Sequence, residues 1–157
     1  MVLLLRELFT IEQDFSADSA RQEKGLRLLL EHPDRAAIMV ARDSTGRAIG
    51  MVSGQIVIST AEGAPSVWIE DLVVAGPYRG HGLGRTLLQQ AIQWAGSKGA
   101  TRAQLLVDLD NHPALDFYTH LGWQATRLGM RRWRLEPPDS ESKENGMPAI
   151  CRAFRSR

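Results

Sequence analysis

The chain has 157 residues, 43% of them hydrophobic and 24% charged, and its formal net charge is +1 at pH 7. That length suits one domain with a proper core and is short for two. The near-neutral balance gives no global drive toward nucleic acid or a membrane surface. The single cysteine, Cys151, leaves no internal disulfide and suits a reducing cytoplasm. Leu3-Leu4-Leu5 is too short for a signal peptide, and no apolar run approaches the ~20 residues that cross a bilayer.

Leu4, Leu8, Ile11 and Phe15 recur at helical spacing and predict an amphipathic helix over residues 3–15. A capping box, Ser19-x-x-Gln22, opens a second helix that carries Leu26, Leu29 and Leu30 and stops before Pro33. Residues 36–41 form a short apolar strand, and Asp43-Ser44-Thr45-Gly46 is a turn. Residues 48–60, rich in Val and Ile, make a long strand. A second turn at Glu62-Gly63-Ala64-Pro65 leads to a strand over 67–74 that carries Glu70 and Asp71. These three read as an antiparallel meander. The stripe Leu83, Leu87, Ala91, Ala95 marks a helix stopped by Gly99. Residues 102–109 alternate as a strand. Pro113 opens a last helix whose apolar positions are Ala114, Phe117, Tyr118 and Leu121. Residues 123–135 can form one final long strand. The order predicts a mixed α/β (α+β) domain over 1–135. From Glu136 onward the composition turns polar and proline-bearing, so residues 136–157 read as a disordered tail.

The most informative stretch is Ile69-Glu70-Asp71-Leu72-Val73-Val74-Ala75-Gly76-Pro77-Tyr78-Arg79-Gly80-His81-Gly82-Leu83-Gly84-Arg85-Thr86. An acid-bearing strand runs through a turn of alternating glycines and basic residues into an amphipathic helix. Glycines let several backbone N–H groups converge on one concavity, and the helix dipole adds to them. Arg79, His81 and Arg85 surround the rim. Such a place suits phosphate. A Walker loop is excluded, because its first glycine would fall on Arg79 and its lysine on Arg85; the G-x-G-x-x-G dinucleotide spacing fails as well. A turn needed only for close packing is the bland alternative.

Arg79-x-x-Gly82-x-Gly84 resembles the coenzyme A signature R/Q-x-x-G-x-G/A of the GNAT superfamily of N-acetyltransferases. About thirty residues later, Asn111-His112-Pro113-Ala114-Leu115-Asp116-Phe117-Tyr118-Thr119-His120-Leu121-Gly122-Trp123 is similar to that family's N-x-x-A-x-x-F-Y-x-x-x-G-F/W. The resemblance covers roughly residues 3–135. It implies a mostly antiparallel central sheet flanked by helices, with acetyl-CoA as co-substrate and no metal. The family usually begins with a strand before its first helix, and here that strand is apparently absent.

The resemblance implies that Arg79, Gly80, His81, Gly82, Leu83, Gly84, Arg85 and Thr86 hold the pyrophosphate. It likewise gives Leu72, Val73 and Val74 the pantetheine arm, with Asn111 beside it; Asn111 is equally a helix cap. Glu70 is the candidate base, against a solvated or ion-paired strand acid. Asp71 points to the other sheet face in a regular strand, and only a bulge makes it an alternate base or amine anchor. Tyr118 matches the tyrosine that protonates the leaving thiolate, against a core tyrosine. An alkylamine with a pKa near 10.4 is neutral in only about one molecule in a few thousand at pH 7, which is why a base is needed.

His32, His81, His112 and His120 lack metal-ligand spacing, and Gly50-Met51-Val52-Ser53-Gly54 is out of register for a nucleophile elbow. Trp68, Trp94, Trp123 and Trp133 read as core and interface residues. The expected activity is acetyl transfer to a primary amine of a small molecule or peptide; the alternative is a non-catalytic acyl-CoA-binding module. No nucleic-acid or membrane partner is expected. An uncovered sheet edge favours a cytoplasmic homodimer.

Overall fold

A computed structural model describes residues 1–12 and 15–135. The expected tail from 136 lies outside them. The chain divides into two units, Met1–Gln124 and Ala125–Arg157. All regular elements among the described residues belong to the first. They are helix α1 (Val2–Leu8), helix α2 (Ser19–Glu31), strands β1 (Ala36–Arg42), β2 (Ala48–Ser59) and β3 (Ala64–Val74), a single 3-10 turn (Gly76–Tyr78), helix α3 (Leu83–Ser97), strand β4 (Arg102–Leu105) and helix α4 (His112–His120).

The strands lie in the order β1-β2-β3-β4. The first three are antiparallel, as the sequence predicts, and β4 runs parallel to β3. Each face of the sheet buries its own core. On one side Val52, Val67 and Ile69 meet Leu87, Leu88, Ala91 and Ala95 of α3. On the other, Met51 and Val73 meet Leu4, Leu5 and Leu8 of α1 and Leu26 of α2. Each such side chain contributes about 1.5–3 kcal/mol through loss of apolar surface to water. Adjacent residues of β2, Met51 and Val52, serve opposite cores, as strand alternation requires.

The β1–β2 turn is pinned by Asp43, whose Oδ1 accepts from the backbone N–H and hydroxyl of Thr45 and from the N–H of Arg47. The Thr45 hydroxyl foremost, with these amides and Arg47, brings the Asp43 carboxyl down to about 2. The Tyr78 hydroxyl donates to Asp43 Oδ2 at 3.4 Å, linking this turn to the segment after β3.

Four expectations need correction. The first helix stops at Leu8 rather than 15: the Thr10 hydroxyl and N–H both bond to the Glu7 carbonyl, at 2.6 and 3.3 Å, and close the turn. The second helix starts at Ser19, but its cap is Asp18, which accepts from the N–H groups of Ala20 and Arg21. Gln22 is buried instead of capping. Strand β4 ends at Leu105 rather than 109, where its pairing with β3 ends. Residues 123–135 form no strand. Alternation makes a strand possible, but only a paired ladder makes one, and Leu128, Trp133 and Leu135 stay largely exposed.

Gly50 sits where β2, β3 and α3 crowd together. A Cβ there would lie 3.0 Å from Leu87 Cδ1 and 3.2 Å from the Val73 carbonyl oxygen. Gly50→Ala is expected to destabilise the domain by about 1–3 kcal/mol through overpacking, read as a lower denaturant midpoint in urea unfolding.

Candidate active site

Strand β3 is irregular at one point. Met51 pairs with Val73 and Ser53 with Glu70, so Val52 alone faces both Asp71 and Leu72. The extra residue is a β-bulge. Asp71 takes φ +53°, the left-handed region that aspartate tolerates better than most side chains. The bulge inverts the alternation of the strand. Before it Val67 and Ile69 face α3; after it Leu72 and Val74 do, and Val73 turns to α1 and α2. Asp71 therefore shares a face with Glu70. The strand is not regular, and the bulge on which a shared face for Asp71 and Glu70 depends is present.

Both acids line a cleft of about 630 Å³, with Leu5 and Phe9 of α1, Gln22, Leu26 and Leu29 of α2, and Gln55 of β2 among its other walls. Glu70 is exposed. Its Oε1 accepts from Trp68 Nε1 at 3.1 Å and its Oε2 from Gln55 Nε2 at 3.3 Å, so the carboxylate is held across the strand. Asp71 is half-buried, and its Oδ2 accepts from the hydroxyl of the fully buried Ser53 at 3.1 Å. Burial, with the neighbouring Glu70 charge adding to it, pushes the Asp71 carboxyl up; the Ser53 hydrogen bond partly opposes this. Two carboxylates of unlike environment thus stand side by side in an apolar-walled cleft, an arrangement suited to holding a cation and taking a proton from it.

The glycine turn lies beyond the end of β3. Gly80 and Gly82 both have φ near +80°, and Gly82 is the N-cap of α3. Among the described residues, the N–H groups of Gly80, His81, Gly82, Leu83, Gly84 and Arg85 donate to no protein acceptor. They converge where the helix dipole is positive, so the turn can take an anion. Gly84 passes close to α4, with Phe117 Cζ 3.4 Å from where its Cβ would be. Pro77, Tyr78, His81, Leu83 and Thr86 line a second concavity of about 440 Å³ beside it. His81, Arg85 and Thr86 are exposed around the turn. Arg79 is not on that rim: its Nε donates to the Val74 carbonyl at 2.7 Å, and its Nη2 pairs with Glu7 Oε1 at 2.7 Å.

Strands β3 and β4 pair only from Ser66 to Ile69, so past Ile69 the edge of β3 stands open. Val73 pairs with Met51 and the Ala75 N–H donates to the Ile49 carbonyl. Alternation therefore turns the peptide groups of Leu72 and Val74 toward the opening and those of Val73 toward β2. On α4, Tyr118 packs edge-on against Phe117 and beside Trp123. Burial above all, with the Glu12 carboxylate, pushes its phenol up to about 12. Asn111 caps α4, Oδ1 accepting from the Ala114 N–H at 3.2 Å.

Ser53, Gln55, Trp68 and Glu7 were not singled out as site residues by sequence. The one available signal was Ser53, a polar side chain inside the apolar run of β2. No group of His, Cys, Asp and Glu among the described residues is placed to hold a metal ion, and none of their helices is long and apolar enough to cross a membrane.

Asp71 makes the site's cost measurable. Its raised carboxyl binds a proton in the folded state at pH values where the unfolded chain has lost it, so its contribution to stability falls as pH rises above ~4. Asp71→Asn keeps a residue tolerant of the left-handed backbone and removes the desolvated charge. At pH 7 it is expected to raise the melting temperature, because the desolvated charge is gone. The gain disappears below about pH 4; calorimetry across pH 3.5–8 checks both.

The Acetyltransferase (GNAT) family matches the chain over residues 4–123. Glucosamine 6-phosphate N-acetyltransferase of Trypanosoma brucei brucei is 36% identical over 88 residues, 55% of this chain and 58% of that protein. N-alpha-acetyltransferase 80 of Mus musculus is 34% identical over 88 residues, 55% of this chain and 27% of that protein. The match spans less than two thirds of the length of either relative. Among solved structures, a transcriptional regulator from Bacillus halodurans C-125 superimposes with a TM-score of 0.74 at 22% identity, covering 85% of this chain and 91% of its own. Glucosamine-6-phosphate N-acetyltransferase from Arabidopsis thaliana gives 0.62 at 21% identity, covering 75% and 80%. These two share the fold; the match over residues 4–123 identifies the chain as a member of the GNAT acetyltransferase family.

Proposed function

We propose that the protein transfers an acetyl group from acetyl-CoA to a primary amine of a small molecule or a peptide, by direct attack of the amine on the thioester. One observation carries this reading: the open edge of β3 leads from a pair of carboxylates in a cleft to a turn whose amides lack protein acceptors. The diphosphate rests on the N–H groups of residues 80–85, with His81, Arg85 and Thr86 around it. The pantetheine arm lies along β3, bonded by the peptide groups of Leu72 and by the N–H of Val74, whose carbonyl is taken by Arg79, with Val73 behind them and Asn111 at the facing helix. Arg79 braces the turn through Val74 and Glu7.

The acceptor enters the cleft as an ammonium ion held by Glu70 and Asp71. The pair removes one proton, the free amine attacks the thioester carbonyl, and a C–N bond forms as the C–S bond breaks. The thiolate has an ordinary pKa near 8.5 and leaves readily. Tyr118, whose phenol is pushed up to about 12, stays protonated at neutral pH. Giving its proton outright to a thiolate would cost roughly 5 kcal/mol at 1.36 kcal/mol per unit. Tyr118 therefore acts as a hydrogen-bond donor to the departing sulfur, and the thiolate takes its proton from the nitrogen that has just acylated. The two relatives are by name a glucosamine 6-phosphate N-acetyltransferase and an N-alpha-acetyltransferase, and acetyl transfer to an amine is consistent with both.

Acetyl-CoA is expected to raise the melting temperature. Gly80→Asp tests the turn: nothing lies within 4 Å of the added Cβ, the left-handed φ of +78° imposes a backbone strain that aspartate bears better than most side chains, and the new anion repels the diphosphate. Its CoA affinity should fall at least tenfold by calorimetric titration, and unchanged affinity in a folded variant refutes the assignment. Joint replacement of Glu70→Gln and Asp71→Asn is expected to slow transfer by ~10²–10⁴ near pH 7. The loss should narrow as pH approaches the pKa of the amine; transfer to an amine panel followed by thiol release reads it. The matching proposal for assembly is a homodimer covering the outer edge of β1, and a monomeric mass by light scattering at micromolar concentration overturns it.

A further inference from the structure

The paired acids leave open which of them receives the amine's proton. Glu70 is exposed and already accepts two hydrogen bonds, from Trp68 Nε1 to Oε1 and from Gln55 Nε2 to Oε2. A carboxylate whose two oxygens are both held by protein donors is fixed in place, which suits an anchor for a cation. Asp71 is half-buried, projects from a bulge, and accepts from the Ser53 hydroxyl, its one protein donor among the described residues. Ser53 is fully buried on the central strand β2, so its position is fixed by the core and not by solvent.

The geometry around Ser53 is unusual in one respect. Its hydroxyl oxygen lies 3.1 Å from Asp71 Oδ2 and 3.3 Å from the backbone carbonyl oxygen of Glu70. A hydroxyl carries one proton and two lone pairs. While Asp71 is ionised, Ser53 donates to Oδ2. Once Asp71 holds a proton, that O–H donates to the Ser53 oxygen, and the serine proton rotates to the Glu70 carbonyl. Asp71 is then hydrogen-bonded in both protonation states, with no movement of heavy atoms. No group on Glu70's side offers this exchange.

Resting on the acetyl-transfer reading above, we propose that Asp71 accepts the amine's proton, that Ser53 is the positioning residue whose rotating hydroxyl serves both forms of Asp71, and that Glu70 anchors the ammonium. The step balances. R–NH3⁺ gives one proton to the Asp71 carboxylate and attacks as R–NH2; the acylated nitrogen gives its second proton to the thiolate; Asp71 returns its proton to solvent. The other charged groups of the cleft are Asp18, Arg21, His32 and Arg35, on α2 and the segment leading into β1; α1 contributes only Leu5 and Phe9. The carboxyl raised by burial fits the role, because a base closer to the operating pH accepts a proton more readily.

The test compares four single variants and one double variant by the pH dependence of kcat/KM, with acetyl-CoA and an amine that the wild type acetylates. Asp71→Asn is expected to lose ~10²–10⁴ in kcat and to abolish the acid limb. Glu70→Gln should mainly raise the KM for the amine and keep the limb. Ser53→Ala should move the limb upward by about one unit, since the donor to the ionised carboxylate is gone, and lower kcat about tenfold below it. Ser53→Thr retains the hydroxyl and should restore the wild-type limb. In the double variant, Ser53→Ala adds less than twofold to Asp71→Asn, because it acts through Asp71. A limb lost in Glu70→Gln and kept in Asp71→Asn overturns the proposal, as does a full additional loss in the double variant. Carboxyl-carbon NMR titration of wild type and Ser53→Ala reads the Asp71–Ser53 link without turnover. An unmoved Asp71 titration refutes the link even if no amine is ever acetylated, whereas inactivity of the wild type toward every amine refutes only the parent reading.

Discussion

The β-bulge at Asp71 is the constraint on which the rest of the molecule depends. One extra residue on β3 opposite Val52 reverses which side chains face which core. Without it, Val73 would leave the cluster of Leu4, Leu5, Leu8, Leu26 and Met51, and Leu72 and Val74 would leave the α3 side. Both cores would lose apolar contact, so the bulge is held in place by packing on two faces at once. That is what supports an aspartate in the left-handed region, at a backbone cost of order 1–2 kcal/mol. The same device brings two carboxylates to one face. Chemistry and packing therefore share a single backbone irregularity.

The second constraint is divergence. Strand β4 follows β3 for four residues and then parts from it, leaving unpaired peptide groups at an edge that would otherwise be satisfied by a neighbour. The edge runs toward the glycine turn, where more amides lack acceptors. A single Glu7 oxygen takes both the Gly76 N–H and the Arg79 guanidinium, tying α1, which walls the cleft, to the base of that turn. The cleft and the turn are thereby fastened to one another through a side chain that contacts neither the acids nor the free amides.

The cleft also shows what stability gives up. Asp71 is an acid pushed up by burial, and both polar atoms of the Gln22 side chain are buried without a hydrogen-bond partner. The unpartnered Gln22 amide alone costs on the order of 1–3 kcal/mol. Neither lies in the α3 core, where small residues and branched side chains fill the space against the sheet. The unfavourable groups are concentrated on the α1/α2 side, next to the proposed chemistry, while the opposite face supplies the compensating burial.

Much of this was legible in the sequence because it is local. The stripe from Leu83 to Ala95 and the glycines before it specify a helix and its entry turn within one short stretch, and Pro113 with Gly122 brackets α4; propensity and periodicity need no distant partner. Glu70 entered as a candidate through the family resemblance and not through periodicity. What the sequence did not decide is pairwise. The alternation over 123–135 permits a strand that no ladder completes, and the apolar run past Leu105 continues after β4 has parted from β3. The face of Asp71 depended on a register shift against β2, and the partner of Asp71, Ser53, lies eighteen residues away across that shift. The two motifs thus carried the family resemblance, and local periodicity placed the helices, though not the end of the first. Tertiary structure alone decided which acids meet and what holds them, because strand register is fixed by the competition of two cores for one strand's side chains.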